Sequence, residues 1–418
     1  MTRKELLSEL KLSTYVALDF ETTGLDPKVD RIIEVAAIRF VNGEPKKRFS
    51  TLVNPKTHIS SFITKITGIT NDMVLNAPKE EQIVDNFLRI IDKYPLVAHN
   101  IRFDWNFLVE FCNRHNKDIP DNPQYDTLQL ARCVLFDHPV FNLGALSEFY
   151  GLDASGSHRA EKDTENCGNI LLPLLDELSE YSLEEISRII TVLDNYNIPN
   201  KKLFVDLGNA LLKRGDLKGS LREKSYSRIP RNNIYDYEGK NNIQNTTAEE
   251  VFSSGGVLSK CYDWYEDRIN QVEYANTCDK IMNAPRTGVL EAGTGLGKSL
   301  AYLFASFKRK YETDQRGPVI IACNTKHLQD QLFFKDLPQL ADALKTSVSA
   351  LIIKGRKNYI CKTRLNWLLG ENNNLTDQDV EAIIPVLFWL EWTKSGDISE
   401  CSGFLNNRKT WLLSMISS

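Results

Sequence analysis

The chain has 418 residues, 42% hydrophobic and 25% charged, with a net charge of -4; this is the composition of a folded protein of about two to three domains and excludes general disorder. The charge balance excludes a surface that is basic throughout, so any contact with nucleic acid must be local. No stretch has the apolar length of a signal peptide or membrane span, and eight cysteines without a C-x-x-C pair do not resemble a secreted disulfide framework, so a cytoplasmic location with reduced, mostly buried thiols is the default expectation.

In chain order, residues 15–19, 31–40 and 48–53 read as three strands separated by the turn-forming segments TTGLDPKVD and NGEPKK, an antiparallel meander. A periodic helix over 82–92 follows, then the buried strand PLVAHN, a helix over about 104–114 and further helices to about 179, which together make an α/β domain. Residues 183–193 read as a helix of a connecting segment. Residues 213–231 carry seven Lys or Arg against two acids, and with the polar IYDYEGKNNIQN they read as an exposed linker, either merely solvated or a basic arm on phosphates with Tyr226 placed for stacking. From about 247, GVLEAGTGLGKSLAYLFASF reads as strand, glycine-rich turn and helix, and PVIIACNT as another buried strand, the opening of a second α/β unit with a parallel sheet. The expected division is therefore 1–180, 181–246 and 247–418.

The first chemical signal is carboxylate spacing. In VALDFETTGLD, Asp19 and Glu21 stand two apart on a strand and so share a face, a costly arrangement unless a cation holds it. In VAHNIRFDWNFL, Asp104 begins a helix, where an acid also serves the helix terminus. In SHRAEKDTENC, His158 stands five residues ahead of Asp163 near the start of another helix.

The ordered motifs D-x-E, H-N-x-x-F-D and H-x-x-x-x-D, spread over residues 19–163, resemble the DEDDh or DnaQ-like exonuclease superfamily across about residues 14–175. The resemblance implies a ribonuclease-H-like fold and removal of nucleotides from 3' ends, with Asp19, Glu21, Asp104 and Asp163 holding two divalent ions, Mg²⁺ or Mn²⁺, and His158 as general base. It also brings Phe103 against the terminal base, against the alternative that it is ordinary core, and Thr22 and Thr23 onto the terminal nucleotide, against the alternative of a tight turn closed by Gly24. His99 and Asn100 are expected to orient the loop, and Asp126 to cap the next helix instead of binding metal.

The second signal is EAGTGLGKS, residues 291–299, a Walker A loop with Ala292 where the first glycine is usual, followed by Gly293, Thr294, Gly295, Leu296 and then Gly297, Lys298 and Ser299 in register. Backbone N–H groups would cradle phosphates, Lys298 would reach the outer ones and Ser299 would meet Mg²⁺, so ATP is the implied ligand. WYEDRINQVEYA with Gln271, NTKHLQDQL and KGRKNYIC resemble motifs of superfamily-two helicases of the DinG and XPD type, so the chain resembles the exonuclease-bearing DinG proteins, with residues 247–418 a partial RecA-like lobe. No acidic Walker B segment is read after the loop; Glu391 in PVLFWLE lacks a preceding Asp and falls in a helix, and the expectation is that the sequence stops inside an insertion of the first motor lobe. Cys361 stands where iron-sulfur relatives put a ligand, but only Cys401 follows, too few thiolates for a cluster.

The leading expectation is a metal-dependent exonuclease on nucleic acid, with single-stranded DNA 3' ends as substrate. An ATP-driven helicase and a nucleic-acid scaffold without turnover are the competing classes, and four clustered acids speak against the scaffold.

Overall fold

The computed structural model describes residues 2–153, 159–215, 234–240, 243–285, 287–312, 317–370, 374–407 and 409–418. The chain forms two compact units, Met1–Ser225 with Lys357–Ser418, and Tyr226–Arg356.

The first unit is built on strands β1 (Thr14–Thr22), β2 (Ile32–Val41), β3 (Glu44–Leu52), β4 (Leu96–Ala98) and β5 (Gln124–Asp126), in the order β3-β2-β1-β4-β5. β1, β2 and β3 make the expected antiparallel meander, and β4 and β5 continue the sheet parallel to β1. This mixed order is that of a ribonuclease-H-like fold. β3 begins four residues earlier than the composition of NGEPKK implied. The turn is only Asn42 and Gly43, with φ of 52° and 86°, the two-residue hairpin whose twist matches its strands. Pro45 is tolerated because β3 is an edge strand and the register shifts beside it.

Alternation along β1 sends Tyr15 and Ala17 into one apolar cluster with Ile38 and Phe40, and Val16, Leu18 and Phe20 into another with Val35 and Ala37. Helices α1 (Glu80–Ile91) and α2 (Ile101–Arg114) cover the second face, and α3 (Thr127–Val134) and α4 (Ala160–Leu178) the first. Asp19 and Glu21 keep step with Tyr15 and Ala17, so they end the strand on the face that α4 covers. α4 sits close to the sheet: the Tyr15 hydroxyl donates to the Gly168 carbonyl at 2.9 Å, and a Cβ at Gly168 would strike the Phe40 ring.

The first cluster extends beyond residue 180. The helices Leu183–Leu193 and Lys201–Arg214 contribute Ile186, Leu193, Leu203, Phe204 and Leu207, and α5 (Asp377–Leu390) contributes Val380, Ile384 and Phe388. The Phe388 ring meets Tyr181 and Phe204 at 4.8 and 5.8 Å, and Arg102 donates to Glu381 through Nη2 and Nε at 2.7 and 2.9 Å. The boundaries read from the sequence at 180 and 247 therefore differ from the packing. Residues 357–418 group with the first unit because the apolar run of α5 is buried in its core, and Glu391 caps that helix and pairs with Arg188 at 2.6 Å.

In the second unit, β6 (Ile234–Tyr237) pairs antiparallel with β7 (Val348–Leu351), so part of the segment expected to be linker is a strand whose Tyr235 and Tyr237 pack on the apolar cluster around Phe252 and Phe304. The two strands expected to flank the phosphate loop are not formed. Residues 287–297 and 317–323 have no regular structure, and Val289 is 93% exposed. A parallel strand holds only between neighbours, and among the described residues this unit's sheet is β6 with β7 alone. The helix after the loop, Lys298–Glu312, forms as expected. The basic stretch 216–233, with Tyr226, lies outside the described residues.

Among the described residues no helix is long and apolar enough to cross a membrane. All eight cysteines are free, with Cys112, Cys133, Cys167, Cys278 and Cys401 buried.

Candidate active site

Three of the predicted acids converge. Asp19 and Glu21 from the end of β1 and Asp163 from the first turn of α4 each offer a carboxylate oxygen within 4.8 Å of the others. The fourth, Asp104, lies outside that set by distance and enters from the first turn of α2. That helix starts at Ile101, earlier than expected, because its N-cap Asn100 adopts a left-handed φ of 76°. Asp104 is 2% exposed, and its Oδ1 accepts from the Phe20 N–H at 3.0 Å, which ties it to the backbone of β1 between the two strand acids.

The electrostatics follow from this crowding. Burial first, and then the charges of Asp104, Glu21 and Asp163, hold Asp19 well above the usual carboxylate range. Glu21 is pushed up to about 8 by burial and by Asp163 and Glu34, with Arg159 opposing. Burial also raises Asp104 despite the Phe20 N–H. Buried acids facing one another are relieved by protons or by a cation. An all-carboxylate donor set is the chemistry of hard divalent ions such as Mg²⁺ and Mn²⁺, so the residues present fit the metals that the sequence implied.

A fifth acid, Glu34, was missed by spacing arguments. It lies on β2 as the register partner of Glu21, on the same face of the sheet, and is 2% exposed. Arg159, the N-cap of α4, donates to it through Nη2 at 2.9 Å and Nε at 3.3 Å, and the Ala160 N–H donates at 3.1 Å. The available signal was an acid inside the apolar run IIEVAAI.

His158 lies outside the described residues. The Thr22 hydroxyl donates to the Gly24 carbonyl at 2.6 Å. Thr23 Oγ1 donates to Asp30 at 3.0 Å and accepts from the Arg31 N–H at 3.0 Å, so both hydroxyls are engaged within the turn. A Cβ at Gly24 would lie 2.5 Å from the Asp30 carboxylate, so a side chain there would displace the group that holds Thr23 and the Asp26 N–H. Phe103 packs on Phe107 with ring centroids 4.9 Å apart. His99 bridges Thr127 Oγ1 at 3.0 Å and the Phe141 carbonyl at 2.9 Å, and burial lowers its pKa to about 4, so the neutral ring joins β4 to the loop before the helix Leu143–Phe149. Asp126 caps α3 through the Leu128 and Gln129 N–H groups, as expected, and also accepts from the N–H groups of Asn100 and Ile101. One carboxylate thus sets the starts of two helices, including the one that presents Asp104.

In the second unit, Gly295 and Gly297 take φ of 83° and 81°, conformations open to glycine. Gly293, Thr294 and Gly295 are exposed, with Ala292 and Leu296 half-buried. Lys298 Nζ donates to the carbonyls of Ala292 and Gly293, each at 2.7 Å, curling the loop around the ammonium. Ser299 stands near Tyr302 and Asp336, whose burial raises both of their pKa values while Ser299 opposes the rise. Gln271 is buried, donates to the Gly297 carbonyl at 2.9 Å and accepts from the Tyr265 hydroxyl at 2.8 Å, so it braces the loop from behind.

Residues 16–171 match the family model described as Exonuclease. The chain carries a DnaQ-like exonuclease domain. Over nearly its whole length it is similar to proteins named 3'-5' exonuclease DinG: 30% identical to that of Bacillus subtilis (strain 168), covering 92% of this chain and 41% of that protein, and 26% identical to that of Staphylococcus aureus (strain MRSA252), covering 93% and 42%. The chain thus spans about two fifths of the length of the curated relatives it matches. Among solved structures, Exonuclease X in complex with 5' overhanging duplex DNA is 25% identical, with 39% of this chain and 91% of that chain covered and a TM-score of 0.32.

Proposed function

We propose that the first unit is a metal-dependent 3'-to-5' exonuclease acting on single-stranded DNA 3' ends. The observation that carries this reading is the meeting of Asp19, Glu21 and Asp163 with Asp104 tied to the intervening Phe20 N–H. Asp19, Glu21, Asp104 and Asp163 would hold two divalent ions, and two ions in such a site supply a lowered water pKa and stabilisation of the leaving 3' oxygen. His158, one residue before the N-cap of α4, would take the proton of the attacking water. The turn of Thr22 and Thr23 and the ring of Phe103 border the acids in sequence and would receive the terminal nucleotide through backbone and apolar contact, since the hydroxyls are spent on the turn. Calorimetric titration of the whole chain with Mn²⁺ in the presence of a non-cleavable oligonucleotide tests the reading: two ions per chain are expected, and one or none contradicts the two-metal assignment.

The second unit is proposed to bind ATP, with the N–H groups of residues 292–299, Lys298 and Ser299 on the phosphates. Its support is the motif and the left-handed glycines that shape the loop. Gln271 contributes by bracing Gly297. These residues would supply binding, whereas hydrolysis needs a further acid and a water-orienting group that the loop itself does not include. Titration with a nonhydrolysable ATP analogue should show binding that Lys298→Ala abolishes. DNA-stimulated phosphate release that Lys298→Ala removes would instead favour the helicase reading.

A further inference from the structure

Asp163 is the one member of the three-acid set that does not come from β1. The first turns of α4 make exposed ion pairs, Glu161 and Glu165 with Arg48 on β3 and Lys162 with Asp153, which contribute little each. The buried attachment of this helix end is made at its start. The N-cap Arg159 makes no side-chain cap hydrogen bond to its own helix. The end of the helix is held from outside, by Glu34. One Glu34 oxygen takes the Ala160 N–H, an otherwise unpartnered donor of the first turn, and the other takes Arg159 Nη2. Glu34 itself is fixed, because it is paired in register with Glu21 and its side chain is 3% exposed. The path from one metal-binding acid to another is therefore short and continuous: Glu21 across the ladder to Glu34, from Glu34 to the N-terminus of α4, and one turn along α4 to Asp163. Arg159 also neutralises Glu34, which would otherwise add a further bare carboxylate beside Glu21.

We propose that Glu34 and Arg159 are positioning residues of the nuclease site: together they lock the N-terminus of α4 to β2 and so set Asp163 against Asp19 and Glu21. The inference rests on the metal-site reading above. It assigns the pair no contact with metal or substrate.

Charge and position make opposite predictions for Arg159, whose side chain is 51% exposed and can be truncated with little risk to the core. If it acted only as a nearby positive charge, removing it would tighten binding of a cation. If it positions α4, removing it loosens Asp163 and weakens that binding. Partners that orient metal ligands typically cost about 10- to 100-fold in metal affinity or activity when lost. Calorimetric Mn²⁺ titration of the whole chain with Arg159→Ala is therefore expected to show about 10-fold weaker binding or more, with a comparable loss in kcat and little change in KM for DNA. Arg159→Lys and Glu34→Gln, which keep a donor to Glu34 and an acceptor for the Ala160 N–H, should each recover most of both losses. Mn²⁺ affinity equal to or tighter than that of the unaltered chain in Arg159→Ala, with kcat intact, would overturn the proposal, as would Arg159→Lys and Glu34→Gln failing as badly as Arg159→Ala. Absence of Mn²⁺ binding by the unaltered chain would strike the metal-site reading itself and is distinguishable from either result.

Discussion

Asp163→Ala and Asp19→Ala are expected to reduce nuclease activity to background while leaving a folded protein, because each removes a metal ligand and at the same time relieves repulsion among crowded, half-buried acids. Glu21 supplies the accompanying stability signature. Its folded pKa of about 8 lies above its ordinary 4.5, so the folded state holds that proton more tightly than the unfolded chain. The resulting stabilisation is complete below about pH 4.5 and is lost as pH rises through about 8. In chelator, the unaltered chain should therefore melt at lower temperature as pH increases over that window. Asp163 is the largest charge acting on Glu21, so Asp163→Ala should flatten this dependence and melt higher than the unaltered chain near pH 8. Adding Mg²⁺ should reverse the order, since only the intact set gains from the ion. Activity retained by the purified variants would remove these acids from the mechanism.

Cutting the chain after Leu193 is expected to abolish the soluble fold, although the family match ends at residue 171. The helix Lys201–Arg214 that would be lost puts Leu203, Phe204, Leu207 and Leu211 into the same core as Tyr15 and Tyr125. Loss of Phe204 alone by substitution with Ala is worth about 3–5 kcal/mol, a large share of the roughly 5–15 kcal/mol that holds a domain together. Asn200 goes with it. This residue is 1% exposed; its Oδ1 accepts from the Asp126 N–H at 2.9 Å, and its Nδ2 donates to the Asp126 carbonyl at 2.9 Å. Without Asn200 the backbone of Asp126 at the end of β5 is left unpaired, next to the carboxylate that caps both α2 and α3. Circular dichroism and solubility of the shortened chain decide the matter: a cooperative melt like that of the whole chain would show that the helix Lys201–Arg214 is dispensable.

The strand acids were legible because a two-residue spacing on a strand has one geometric meaning, and Asp126 because a short acid before a helical run has a strong capping preference. Glu34 was not legible by the same means. Its proximity to Glu21 depends on the antiparallel register of β1 with β2, and the connection between them, residues 23–31, is too long for its turn residues to fix a register by themselves. The helix Lys201–Arg214 had the periodic pattern of Leu203, Leu207 and Leu211, yet the lysines at its start and the basic run beyond its end made the whole stretch read as connecting chain. The strands around the phosphate loop failed for another reason: GVLE and PVIIACNT have the composition of buried parallel strands, but composition does not supply the neighbouring strands that such segments need.

The measurement that tests the central claim most directly compares one oligonucleotide labelled at its 3' end with the same oligonucleotide labelled at its 5' end, incubated with the whole chain and Mn²⁺ or Mg²⁺. The site described here predicts immediate release of labelled mononucleotide from the 3' label, a ladder of progressively shorter products from the 5' label, and neither in chelator or with Asp19→Ala. Release of mononucleotide from the 5' label first, internal cuts, or degradation that persists in chelator would contradict it.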